Sequence, residues 1–235
     1  MTAMPSDYDR DPGRFLASAD LPTEDVHPVV AARLAASGAR VVLDAGGGNG
    51  RLARLLPALD MRCLLVDLSA TMLALAPRPA IRADASRLPA ANASVDAVTA
   101  LYMLYHCDDP GQPIAEARRV LRPGGIFVAC APNRNSNPEL ADVLPDWGAA
   151  SSFDGEDAAD IVGSVFTAPG DVVEIDRWDA PHVTLSDAGQ TAAFLRIHGL
   201  TAAAARRTAA TLQTPLALTM RGCLVYATKA QEPPG

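Results

Sequence analysis

The sequence predicts a doubly wound α/β fold, and three observations carry the prediction. Short apolar runs alternate with helical patterns from residue 41 to residue 131. Three of those runs are almost continuously apolar, as strands are when helices cover both faces of a parallel sheet. The first run ends in Asp44 and passes through Gly46, Gly47, Gly48 and Gly50 into a helical pattern. Strand, glycine turn and helix in that order bring the backbone against a ligand at a helix N-terminus, with no Cβ in the way. In such sheets the ligand sits at the carboxyl ends of the strands.

Taken in order, residues 1–22 are rich in Asp, Pro and Ser and read as a mobile arm, with Tyr8, Phe15 and Leu16 as its large apolar groups. An Ala-rich helix over 29–37 follows, stopped by Gly38. Strands are expected at 41–44, 63–67, 80–83, 97–101 and 126–131, with helices at 51–59, 70–76 and 113–121. After Pro132 the rhythm breaks. Residues 133–170 hold two short helical patterns, near 139–147 and 156–166, in a polar surround. A long insertion at that place reads as a lid or binding wall. Residues 171–178 alternate like a strand, and helices are expected at 187–198 and 202–212. The run 220–229 reads as a closing antiparallel strand, and the tail 231–235 as disordered. The reading is one domain: arm and helix 1–38, ligand-binding core 39–132, insertion 133–170 and C-terminal part of the sheet 171–235.

Composition excludes several functions. The chain of 235 residues carries a net charge of −7, and Lys229 is its single lysine. Nucleic acids and anionic membranes want dense cationic patches, so neither is an expected partner. A phosphate-binding loop ending in Gly-Lys-Ser/Thr has no lysine to use, and Schiff-base chemistry would depend on a residue near the C-terminus. Cys63, Cys107, Cys130 and Cys223 are far apart, and three of them fall in strand-like runs. Buried thiols are the better reading than disulfides or a metal site. No apolar run approaches a membrane span, and the polar, acidic start fits neither a signal nor a transit peptide. The expected setting is the cytoplasm, as a monomer or homodimer.

The residues that promise chemistry follow the strand ends. Asp67 closes the second strand, about twenty residues after the glycine turn. A carboxylate there can accept both hydroxyls of a ribose, and it can also serve as a helix N-cap. The glycines read G-x-G-x-G, not the G-x-x-G-ending fingerprint of nicotinamide dinucleotides, and Asp44 precedes them. An acidic group at the turn repels a pyrophosphate and suits a ligand with a free ammonium. Asp84 ends the third strand, where its carboxylate can accept an adenine amino group while the Ala85 amide faces a ring nitrogen; the plain alternative is an Asx turn.

Together VLDAGGGNG, VDLSATML, RADASRLP, VDAVTALYMLYHCDDP and RRVLRPGG resemble the motifs of class I S-adenosylmethionine-dependent methyltransferases. The chain is most similar to the small-molecule branch that includes ubiquinone/menaquinone C-methyltransferase-like enzymes, over about residues 40–132. The resemblance implies a Rossmann-like, seven-stranded sheet, mostly parallel with an antiparallel last strand, plus the helical insertion. It implies S-adenosyl-L-methionine as cofactor and a small-molecule acceptor, with secondary metabolism as one setting. Asp44, Gly46 and Gly48 would line the methionine part, Asp67 the ribose, Leu68 and Met72 the adenine faces, Asp84 and Ala85 the adenine edge, and Leu101 the sulfonium. Two departures stand out. That branch often carries two histidines where this chain has Tyr105-His106, and an aliphatic-proline pair where it has Cys107-Asp108.

Methyl transfer needs alignment and exclusion of water, and a general base only when the acceptor must lose a proton. His106, just past the fourth strand, is the candidate base; the alternative is a histidine that holds its loop by a hydrogen bond. Tyr102 and Tyr105 read as pocket wall. Asp154, Glu156 and Asp157 read as the acidic first turn of a helix beginning near Gly155. His27, His182 and His198 have no ligand partners at metal spacing. Three rivals stay open: a non-methylating enzyme on the same cofactor scaffold, a nicotinamide oxidoreductase, and a non-catalytic binding protein.

Overall fold

The computed structural model describes residues 5–13, 21, 25–144 and 153–231, with the backbone alone at 5–7 and 180–182. Phe15, Leu16 and Trp147, the side chain of His182 and the last four residues lie outside what is described. The described part of the arm includes a short helix, α1 (Pro5–Arg10). Helix α2 (Val26–Ala36) begins three residues earlier than the composition suggests, because Asp25 caps it by accepting the His27 N–H at 3.1 Å.

The core then follows the expected alternation. Its elements are β1 (Val41–Ala45), β2 (Arg62–Asp67), α3 (Ala70–Leu75), β3 (Ala80–Arg82), β4 (Val95–Leu101), α4 (Gly111–Val120) and β5 (Leu121–Pro132). After it come α5 (Ala158–Gly163), β6 (Val172–Leu185), α6 (Ala188–Ile197), α7 (Ala202–Ala209) and β7 (Leu216–Thr228). The seven strands lie in the order β3-β2-β1-β4-β5-β7-β6. All neighbours from β3 to β5 pair in parallel, and β7 runs antiparallel to both β5 and β6. The mixed sheet with an antiparallel last strand is therefore present as expected.

Alternation along each strand sorts the core into two layers. Val42, Ala97, Val128, Cys130 and Leu224 face α2 and its neighbours Leu52 and Leu56. Leu43, Val98, Phe127, Ala129 and Val225 face α4 and α5. Both faces are covered, which explains the continuously apolar strands. No described helix is long and apolar enough to cross a membrane.

Two expected elements differ. Residues 51–59 are not an α-helix but turns leading into a 3₁₀ segment, Leu56–Leu59. Pro57 has no N–H to give, the Leu55 N–H bonds Leu52 O at 2.8 Å, and Asp60 closes the segment at φ 57°. Leu52 and Leu56 still turn their apolar faces inward. The pattern near 139–147 forms only the 3₁₀ turn Pro138–Leu140 before the chain passes beyond the described residues.

The end of the insertion is built into the core. Phe153, Ala158, Val162 and Phe166 are buried in the α4 layer, with the Phe166 ring stacked on Phe127 at 5.9 Å. Beyond the carboxyl end of β5, strands β6 and β7 continue as a two-stranded ribbon from Asp179↔Arg221 to Leu185↔Leu216. There Leu140, Leu144, Val183, Phe194, Leu195 and Leu218 form a separate apolar cluster.

Candidate functional site

Strand order reverses between β1 and β4, because β2 lies on one side of β1 and β4 on the other. The glycine turn leaves β1 at this switch point, where open α/β sheets bind ligands. Its geometry requires glycine. The Gly46 and Gly47 N–H groups both donate to Val66 O, at 2.7 and 3.2 Å, which pins the turn to β2. Gly46 has φ +66°, and a Cβ there would lie 2.7 Å from Met103 Cβ. A Cβ on Gly47 would sit 2.5 Å from an Asp44 carboxylate oxygen. Gly48, at φ +55°, faces open space within 4 Å. The turn is packed below and empty above.

Asp67 is the joint of the site. One carboxylate oxygen accepts the Gly48 N–H at 2.8 Å, and the other accepts the Ser69 N–H at 2.8 Å. The cap of α3 is Ser69, whose hydroxyl accepts the Met72 N–H at 3.1 Å, so Asp67 is not the N-cap. A carboxylate offers about four lone-pair sites. Acceptor capacity therefore remains for ribose hydroxyls. Burial pushes the Asp67 carboxyl above the usual carboxylate range, against the lowering effect of its backbone hydrogen bonds.

Asp44 is 2% exposed beside its register partner on β4, and it accepts the Thr99 hydroxyl at 2.7 Å. Burial raises its carboxyl to about 7, with the Asp67 charge adding to the rise and Thr99 opposing it. Such a group is poised to ionise against a cation. A raised carboxyl binds a proton in the fold that the unfolded chain releases, so this term favours the fold most below pH 4 and is lost as pH rises to about 7. Thermal melts of wild type and Asp44→Asn at pH 5 and pH 8 check this. The melting temperature of the wild type is expected to fall relative to the variant on going to pH 8, and a constant difference would refute the assignment.

The other cofactor candidates sit as follows. Leu68 is 41% exposed at the rim, whereas Met72 is buried inside α3. Asp84 is exposed and uses one oxygen to accept the Ser86 N–H at 2.8 Å, capping a 3₁₀ turn. The Asx-turn role is thus real, and a second oxygen remains. Ala85 and Leu101 are buried, Leu101 at the end of β4. Tyr102 follows at φ +56°, a left-handed conformation uncommon for an aromatic residue and frequent at functional sites.

His106 closes a 3₁₀ turn, Leu104–His106, just past β4. Its ring lies 4.4 Å from the Tyr105 ring, and its Nε2 is 2.8 Å from the Tyr8 hydroxyl. Its ring reaches the arm through this hydrogen bond. Asp154, Glu156 and Asp157 do not form the first turn of a helix: α5 begins at Ala158. Asp154 pairs with Arg134 at 3.0 Å, Asp157 also binds Arg134, and Glu156 accepts from the Asn133 amide. These ties fasten the chain leaving β5 to the segment before α5. His27 bonds the capping Asp25, and His198 stacks on Phe194.

Asn137 carries no signal in the sequence. It is 2% exposed at φ 56°, and neither polar atom of its side-chain amide has a hydrogen-bond partner among the described residues. It lines a cleft of about 360 Å³ with Arg134, Ser136, Leu140, Leu144 and Arg221, beyond the carboxyl end of β5. Nothing in its local pattern, RNSNPE, distinguishes it from a turn residue.

Known proteins similar to this chain share its fold and its cofactor class. A family described as a methyltransferase domain matches residues 43–129. A probable S-adenosylmethionine-dependent methyltransferase of Mycolicibacterium smegmatis is 40% identical over 114 residues, 46% of this chain and 44% of its own. The ubiquinone/menaquinone biosynthesis C-methyltransferase of Rubrivivax gelatinosus is 37% identical over 93 residues, 37% of each chain. The chain thus spans less than half the length of these curated relatives. Among solved structures, the 4+2 cyclase SpnF superposes with a TM-score of 0.68 over 98% of both chains at 19% identity, a likeness of fold. Residues 43–129 thus resemble the methyltransferase domain family, and the similarity to S-adenosylmethionine-dependent relatives supports the class I group for this stretch.

Proposed function

We propose that the chain transfers the methyl group of S-adenosylmethionine to a small molecule bound beyond the carboxyl ends of β4 and β5. The observation that carries this is Asp67, which ties the glycine turn to the start of α3 and keeps acceptor sites for a ribose. The residues fit the cofactor. Open space lies over Gly48, the buried Asp44 suits an ammonium, and the exposed Leu68 offers an apolar face to a base. When bound, the cofactor supplies a methyl carbon activated by its positive sulfur. The chain aligns the acceptor and excludes water, and alignment alone lowers a barrier by several kcal/mol.

The acceptor cleft is read as the one lined by Asn137, whose unpaired amide offers a donor and an acceptor. A nucleic-acid acceptor is disfavoured by the net charge of −7 and the single lysine. The thiols of Cys130 and Cys223 are buried in the sheet, which fits a reducing, cytoplasmic setting. Fold alone does not choose the reaction, since SpnF shares it.

Calorimetric titration with S-adenosylmethionine, S-adenosylhomocysteine and reduced nicotinamide cofactor tests the reading. Binding of the first two alone is expected, and failure of both sinks it. Once an acceptor is found, His106→Ala separates two roles. If the acceptor must lose a proton, turnover is expected to fall by about 10²–10⁴-fold at unchanged cofactor affinity. A drop in melting temperature with normal specific turnover would make His106 a purely structural anchor of the arm.

A further inference from the structure

We infer that Tyr8 is a positioning residue of the acceptor site, holding the candidate base His106 through an arm that is seated on the cofactor helix. The inference deepens the methyltransferase reading and rests on it for the identity of the base. A hydrogen-bonded path joins the two ends of the site. The Gly48 N–H and Ser69 N–H share the Asp67 carboxylate. The Ser69 hydroxyl, buried at the start of α3, gives its single proton to the Asp9 carboxylate at 2.5 Å while accepting the Met72 N–H. Asp9 also accepts the Thr71 N–H at 3.2 Å. The hydrogen bond from Ser69 is the main reason that the Asp9 carboxyl lies below its usual value. The residue beside it, Tyr8, bonds His106 Nε2 at 2.8 Å across 98 residues of sequence.

The chemistry of each link is specific. A serine hydroxyl has one proton to donate, and here it is spent on the arm. An N-capping hydroxyl needs only its lone pairs for the helix, so the same group can cap α3 and hold Asp9 without conflict. A third tie, Arg196 to Asp11 at 2.7 Å, fixes the end of the arm on α6. His106 is thereby held from two directions, its edge by the Tyr8 hydroxyl and its face by the Tyr105 ring. With Nε2–H donating to the Tyr8 oxygen, Nδ1 keeps the lone pair that a base needs, so Tyr8 sets the tautomer as well as the orientation of the imidazole. Ordering of the first turn of α3 by a ligand on Asp67 is then felt at His106 through the arm.

Nitrogen NMR of the histidine rings tests this without an acceptor, with His106→Gln assigning the signal. In the wild type the two His106 ring nitrogens are expected at well-separated positions, the proton fixed at Nε2 by the Tyr8 oxygen. Tyr8→Phe, which keeps the ring and removes one oxygen, should draw the two signals toward each other. Asp9→Ala should do the same, although it removes no atom that touches the imidazole. Unchanged ring signals in Tyr8→Phe would overturn the positioning role, and unchanged signals in Asp9→Ala alone would overturn the seating. Melting temperatures close to wild type would exclude global unfolding as the cause. In a parallel titration, Asp9→Ala should bind S-adenosylhomocysteine about fivefold more weakly, the scale of one net hydrogen bond. A wild type that binds no S-adenosylhomocysteine would refute the methyltransferase reading, whereas the ring signals would still report on Tyr8.

Discussion

Asp67→Ala is expected to weaken S-adenosylmethionine binding by about 1.5–3 kcal/mol, roughly a tenfold to hundredfold rise in dissociation constant. Two losses combine. The ribose hydroxyls lose a charged acceptor, and the Gly48 and Ser69 N–H groups lose the oxygens that hold the turn against α3. A loosened turn must be ordered again by the ligand, and that cost comes out of the affinity. Asp67→Asn separates the parts. Its amide keeps one acceptor oxygen but presents an NH₂ to a backbone N–H that was satisfied before, so it should recover only a fraction of the loss. Because burial already raises the Asp67 carboxyl, the charged group is held at some cost to the fold. Affinity should therefore fall much more than melting temperature. Calorimetry showing unchanged affinity for Asp67→Ala would defeat the ribose assignment.

What could be read from sequence divides along the range of the interactions. The strands were legible because burial on both faces leaves a local record, in runs such as Ile126 to Ala131. Asp44, Asp67 and the glycines were legible because a backbone turn against a ligand constrains neighbouring residues. The helix at 51–59 was misread because apolar spacing at Leu52 and Leu56 survives in a 3₁₀ turn, and Pro57 decides which form is taken. The acidic group 154–157 was misread because its partner, Arg134, lies twenty residues away from Asp154. Tyr8 looked like one apolar group in a polar arm. Its contact with His106 has no local signature, and neither does the unpaired amide of Asn137.

The insertion tests the same lesson by stability. A polar surround with two weak helical patterns reads as a lid, yet Phe153 is wholly buried and packs in one cluster with Ala158, Val162, Phe166 and Phe127. A lid docked only on ligand would tolerate loss of such a side chain; a core would not. Phe153→Ala removes a large aromatic group from a closely packed layer, which costs about 3–5 kcal/mol, transfer and cavity together. For a chain of this size that corresponds to a fall in melting temperature of about 10 °C. Phe153 lies in the α4 layer and Asp67 at the end of β2, so the folded fraction of the variant should bind S-adenosylhomocysteine with near-normal affinity. A melting temperature within about 2 °C of wild type would show that the segment contributes little to the core, and the lid reading of residues 153–166 would return. A large fall with affinity preserved would place this half of the insertion in the scaffold. The acceptor wall would then narrow to the stretch around Asn137 and the seated arm.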